Sequence, residues 1–356
     1  MKKFSPSTFG FRAKGNLLLL AMAVLATSLV TRFAYATGQL ASREPFSSLH
    51  QPDTACRVLG GKAVSPLAVH RGMYLSPLAT SIGSMPLSET YLNILQSSAK
   101  EDALLTFVVN NQIDALTFYN LHSILRSRRL SARLSAFIQA ARDCGVVEMN
   151  AVGAVSGDFD AIRVYQSQHS GRFDGVTVEN EFWNAGSEIT PSFNSLIAML
   201  KHIRSINIQN NTQPVKVSIY LGWLSLDPNT SEKWVAEQIA QNVDRVYLHC
   251  YVKDANTSFG YCRGRIQDFL NTGISLELYP IFSAEGVAYN AGSGPFMGDW
   301  LAAHSLSSAE TIFGTAFASH FGSAALSFEL KGYMYYEYAF LGPVKANRTA
   351  QIGLRK

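Results

Sequence analysis

Phe173-Asp174-Gly175-Val176-Thr177-Val178-Glu179-Asn180-Glu181-Phe182-Trp183 is the stretch on which the reading of this chain turns. In extended backbone, successive side chains point to opposite faces. Thr177, Glu179 and Glu181 therefore share one face, and Val176 and Val178 share the other. If the strand belongs to a closed barrel, the valines suit the layer that meets the surrounding helices. The two glutamates then point into the lumen near its top. Two carboxylates held that close repel each other, and burial disfavours charge on both. One of them should keep its proton at neutral pH, as a general acid must.

Outward from this strand, short apolar runs rich in β-branched and aromatic residues alternate with amphipathic helical patterns, the mark of βα units and a parallel sheet. The spacing predicts eight strands, Arg71–Ser76, Ile113–Tyr119, Val146–Val152, Phe173–Glu181, Val215–Trp223, Arg245–Tyr251, Ser275–Phe282 and Gly332–Tyr338. Helical stretches include Ser88–Val109, Ser131–Asp143, Ser192–Ile206, Ser231–Gln241 and Ala309–Phe321. Eight repeats of one unit, with no second domain's worth of residues to spare, predict an α/β chain folded as a single (β/α)8 TIM barrel. No G-x-G-x-x-G follows the first strand, which weighs against a dinucleotide-binding sheet.

The ends of the chain read differently from its middle. A basic segment from Lys2 to Lys14 precedes the apolar run Leu17–Val30, and Ala34-Tyr35-Ala36 offers small residues at A-x-A positions. This is the pattern of a cleaved signal peptide over 1–36, because the run falls short of the roughly 20 residues a membrane-spanning helix needs. Residues 37–68, rich in Ser, Pro and Gly, are expected to be an N-terminal extension. The barrel should occupy 69–345 and a tail 346–356. The expected location is exported, periplasmic or extracellular, with no membrane association after cleavage.

The formal charge of +4 resides in the leader: removing 1–36 leaves 25 basic against 26 acidic residues. A near-neutral body gives no electrostatic reason to expect a nucleic-acid partner. Cys56, Cys144, Cys250 and Cys262 are too few for a disulfide framework, and no C-x-x-C or His/Cys cluster predicts a zinc site. Cys250 and Cys262 would meet if a strand packs on its following helix, but buried free thiols are the reading favoured here. No metal or cofactor is expected.

In barrels the chemistry gathers where strands end and βα loops begin. Asn150, Glu179, Glu181, Trp223, His249, Tyr251, Glu285 and Tyr336 all fall at such positions. His249 has no second histidine at ligand spacing and reads as a hydrogen-bonded barrel histidine. Trp183, Trp223, Tyr251 and Tyr336 offer flat faces that suit pyranose rings, or serve as ordinary core. The Gly-rich run Asn290–Pro295 is a long loop without the Lys-Ser/Thr of a phosphate-binding loop.

The strand-four segment resembles the D-G-x-D-x-D-x-E signature of the family 18 chitinases. Asp174 and Gly175 match its opening pair, and Glu181 falls on the catalytic acid. Asp244–Val252 is similar to the strand bearing that family's M-x-Y-D motif, with His249 on the methionine and Tyr251 on the tyrosine. Gly332-Tyr333-Met334-Tyr335-Tyr336 resembles G-x-M-x-W, with Tyr336 where tryptophan floors the sugar site. Thr177 and Glu179 stand in place of the two inner aspartates, and Val252 in place of the aspartate after the tyrosine. The resemblance implies a glycoside hydrolase whose partner is an oligosaccharide or polysaccharide. Glu181 would be its general acid, Glu179 would support the reacting sugar, and Tyr251 would donate a hydrogen bond. Asp174, Thr177, Trp183, Asn150, Trp223, His249, Glu285 and Tyr336 would contact substrate. Two alternatives stay open. One is a catalytically inactive carbohydrate-binding barrel. The other is a retaining two-glutamate glycosidase, with Asn180-Glu181 as the Asn-Glu pair and Glu285 as nucleophile.

Overall fold

The computed structural model describes residues 63–64, 69–75, 94–285, 294–322 and 327–342. The expected signal peptide, the tail and most of the expected extension lie outside the described residues.

Eight parallel strands form the barrel: β1 (His70–Leu75), β2 (Ala115–Phe118), β3 (Glu148–Gly153), β4 (Gly175–Glu179), β5 (Lys216–Leu221), β6 (Arg245–His249), β7 (Leu276–Ser283) and β8 (Gly332–Tyr336). Each pairs with the next, and β8 returns to β1 with His70 opposite Gly332. The strands fall where the alternation predicts them, within a residue or two at most ends. Around them lie α1 (Ser98–Asn110), α2 (Arg128–Asp143), α3 (Ser156–Gln168), α4 (Ile189–Ile206), α5 (Glu232–Ala240), α6 (Ala255–Leu270) and α7 (Leu306–Phe321). Serine side chains cap three of these helices: Ser127 accepts from the Leu130 amide, Ser231 from Trp234 and Ser305 from Ser308.

The parity read from strand four holds as far as Glu179, where the strand ends; Glu181, expected on the same lumen face, lies past it and is exposed. Val176 and Val178 are fully buried in the large cluster that includes helix residues such as Phe159 and Leu196. The lumen is a separate cluster of Tyr74, Val152, Tyr247, Tyr279, Ile281 and Met334. Its lower end is closed by Arg245, 1% exposed, which pairs with Glu148 and, at 2.9 Å, with Glu277. The Arg245 guanidinium also donates to the Tyr247 hydroxyl at 2.9 Å and lies 4.5 Å from the Tyr279 ring centroid.

Two expectations need correction. Strand four stops at Glu179 rather than Glu181, because the chain then turns into a 3-10 segment, Phe182–Asn184. Phe182 drives the turn by burying its ring against Phe193 of α4, 5.1 Å between centroids. The cysteines are not free thiols: Cys250, just past β6, is bridged to Cys262 on α6, and Cys144 is also disulfide-bonded.

Candidate active site at the barrel mouth

Glu179 is the last residue of β4 and sits in register with Tyr220 of β5. The residue is partly exposed, yet its carboxyl group is hemmed in by the side chains of the mouth. Burial first, and then the negative charges of Glu181 and Glu337, push its pKa up to about 8, against a hydrogen bond from the Tyr119 hydroxyl that pulls it down. At neutral pH Glu179 therefore holds a proton mostly on its own carboxyl. Glu337, fully buried directly after β8, follows a cis peptide bond from Tyr336.

Glu181 lies past the strand end and is exposed. Its carboxylate accepts a hydrogen bond from Asn184 Nδ2 at 2.6 Å. Its charge still acts on Glu179, Tyr119 and Tyr220, although its side chain leaves the lumen face. Glu179, two residues before the position at which the resemblance placed the acid, is the one whose pKa is raised. Asn180 is turned to α4, where its side chain accepts from the Ser192 hydroxyl at 3.3 Å.

Tyrosines ring the acids. Tyr74 of β1, Tyr251 after β6 and Tyr336 at the end of β8 pack together, with centroids 5.8 Å apart for Tyr74–Tyr336 and 6.3 Å for Tyr251–Tyr336. The Tyr251 and Tyr220 side chains interact, and Tyr251 packs on His249 at 3.9 Å. Burial raises the pKa of each of these phenols, so they remain hydrogen-bond donors throughout the working pH range. His249 is driven the other way, down to about 3, by burial and then by the charge of Arg265. Its imidazole is neutral. Glu285 accepts from Ser283 Oγ at 2.8 Å, burial raises its pKa, and its charge reaches Tyr220, Tyr251 and Tyr336. Thr177 lies one lumen position below Glu179, fully buried.

Several expected contacts are placed elsewhere. Asp174 precedes β4 at the lower end of the barrel. It is fully engaged there, accepting from Arg142 and the Met149 amide through one oxygen and from Asn210 through the other. Asn150 is buried in the lower lumen, donating to Glu148 at 2.8 Å and to the Tyr247 hydroxyl at 3.2 Å. Both are scaffold residues; a residue's height along a barrel strand depends on register, which the spacing alone did not supply. Trp223 stands apart from the acids and packs on Tyr261 and Arg265. Tyr74, Tyr119, Tyr220 and Glu337 belong to the mouth although the sequence reading did not select them as site residues. The signal for three of them was parity: Tyr119, Tyr220 and Tyr74 share the inward period of their strands. Among the described residues, no group of three or more His, Cys, Asp or Glu is arranged to hold a metal, and no helix is long and apolar enough to cross a membrane.

No protein-family profile and no curated protein matches the chain. Solved structures do. A putative alpha-L-fucosidase from Bacteroides thetaiotaomicron matches with a TM-score of 0.49 and 12% identity, over 89% of this chain and 98% of that one. A family 18 chitinase from Pseudoalteromonas aurantia matches at 0.43 and 12%, over 79% and 99%. A xylanase and alpha-amylase inhibitor protein from Scadoxus multiflorus matches at 0.42 and 12%, over 81% and 99%.

The arrangement has a definite chemical capacity. A neutral carboxyl group beside an exposed carboxylate, at the open end of a barrel and under phenolic donors, can protonate a leaving oxygen. It can also hold negative charge next to the carbon that oxygen leaves.

Proposed function

We propose that this protein is an exported glycoside hydrolase-like enzyme that takes an oligosaccharide or polysaccharide into the barrel mouth and cleaves a glycosidic bond. The observation that carries this reading is the place of Glu179 at the end of β4 in the barrel mouth, enclosed by the tyrosines and with burial and the Glu181 and Glu337 charges raising its pKa to about 8. Glu179 donates its proton to the glycosidic oxygen as the bond to the anomeric carbon breaks. The departing sugar leaves as an alcohol. Glu179, now ionised, and Glu181 face the positive charge that develops on the ring, and water completes the new bond, returning a proton to the carboxylates. Tyr251 and Tyr336 supply donors and apolar faces around the ring. The role of general acid thus passes from Glu181 to Glu179.

Turnover on a panel of aryl glycosides and oligosaccharides tests this. The expected result for Glu179→Gln is a loss of about 10²- to 10⁴-fold in kcat, the usual contribution of a positioned acid. Equal turnover by wild type and variant would remove Glu179 from the chemistry. A second reading, a carbohydrate-binding barrel without turnover, is favoured by one observation: the Glu181 carboxylate is already engaged by Asn184. It replaces the first if both proteins bind oligosaccharide and neither cleaves it. Export is part of the proposal, and N-terminal sequencing of the secreted protein should find it beginning near Thr37.

A further inference from the structure

Beside the mouth, between the loops that follow β4 and β5, lies a cleft of about 460 Å³ lined by Trp183, Ile189, Trp223, Leu226, Asp227 and Pro228. Two indoles dominate it. The Trp183 ring packs against Gly222, where a β-carbon would stand 2.5 Å from its nearest ring atom, so glycine is what admits this packing. Trp183 also reaches Tyr220, 5.9 Å between centroids, and Tyr220 is the mouth residue in register with Glu179. The cleft and the acids therefore share a wall.

Trp223 is 42% exposed, an unusual state for the largest apolar side chain. It is nonetheless held from behind. The Arg265 guanidinium lies 4.6 Å from its ring centroid and donates to the Gly222 and Tyr261 carbonyls, while Tyr261 packs against its edge at 5.5 Å. A platform fixed in this way loses little freedom when a ligand settles on it. The rim is polar: the exposed Asp227 carboxylate, held by the Asn229 amide and the Thr230 hydroxyl, keeps lone pairs for outside donors. Flat aromatic faces bordered by a fixed carboxylate match a ring with apolar C–H faces and equatorial hydroxyls.

We propose that this cleft is a second sugar subsite, seating a pyranose ring of the same glycan beyond the ring held at Glu179. The assignment rests on the carbohydrate reading given above and extends it: the ligand is a chain long enough to cross Tyr220 and Trp183, with Trp223 as the outer platform.

The experiment is calorimetric binding of chito-, cello- and xylo-oligosaccharides of short and long chain to wild type, Glu179→Gln, Trp223→Ala and Trp223→Phe. In wild type and in Glu179→Gln, affinity for at least one series rises with chain length, roughly tenfold for the ring that reaches the cleft. Trp223→Ala loses that rise while keeping its circular dichroism spectrum, and Trp223→Phe, which retains a flat ring, recovers most of it. A length dependence unchanged in Trp223→Ala overturns the subsite, as does a wild type whose affinity does not depend on length. The two proposals fail separately. Length-dependent binding without turnover leaves the subsite standing and ends the hydrolase reading. Turnover that depends on Glu179 but ignores chain length does the reverse.

Discussion

At Glu179, burial and two neighbouring charges act in one direction and a single hydrogen bond in the other, and the balance leaves a carboxyl group that ionises near pH 8. Activity that needs its proton should be flat below that pH and fall above it. Glu181 contributes part of the upward push, so Glu181→Gln should lower the Glu179 pKa and move the alkaline limb of the kcat/KM profile to lower pH. A pH–rate profile of that variant, at whatever activity remains, measures the shift; a limb that stays in place would mean that the two charges do not interact. Stability carries the same signature. A folded-state pKa above the unfolded value means that the folded protein retains a proton the unfolded chain releases. This group's contribution therefore falls as pH rises from about 4.5 to about 8. The inward direction of Glu179 was legible in the sequence because period two puts it on the face of Thr177, but the same period extended that face to Glu181, which the structure does not keep. Which of them holds the proton was not legible. That depended on the turn made by Phe182, which carries Glu181 into solvent, and on Tyr119 and Glu337 arriving from other strands.

Among the elements, β6 and α6 do the most to shape the mouth. The strand end presents His249 and Tyr251, and between them Cys250 is bridged to Cys262 on the helix. The neighbouring helix residues Tyr261 and Arg265 then brace His249 and Trp223. One helix face thus supports both the tyrosine ring and the outer cleft. Replacing both cysteines by alanine should lower stability by about 3 kcal/mol, the loop-closure value for a bridge across so short a segment. Urea denaturation of the double variant measures this. An unchanged midpoint would show that packing alone holds the element. The strands themselves were readable from alternation, since each must present one apolar face to the helices and a different set to the lumen. The bridge was not readable: the spacing of Cys250 and Cys262 allows contact, but only the close packing of α6 on the end of β6 brings the sulfurs together.

The whole barrel is polarised. At the upper end Glu179, Glu181 and Glu285 gather under phenols with no cation partner among the described residues, while in the lower lumen Glu148 and Glu277 share the buried Arg245 cation. Burial by itself would push the Glu148 carboxyl up, but the charge and hydrogen bonds of Arg245 outweigh it and hold the group below its ordinary value. Arg245→Met should therefore reverse the balance at Glu148, leaving an enclosed carboxylate without its main counter-ion, while Glu277 keeps Lys216 at 2.5 Å. Breaking a buried pair from one side costs about 3–5 kcal/mol. The pH dependence identifies the cause. In wild type, the Glu148 contribution is present above the unfolded pKa and is lost as pH falls through the lowered folded value. In the variant, unopposed burial raises the folded value, so acid neutralises the stranded charge and the folded state regains stability. The gap between the two proteins, measured by chemical denaturation, should be large at pH 8 and shrink toward pH 4. A gap that is constant with pH would mean that Arg245 acts through its packing against Tyr279 and not through its charge. Because the ion cluster lies at the end of the lumen away from Glu179, the alkaline limb of activity should stay near pH 8 in any Arg245→Met protein that remains folded.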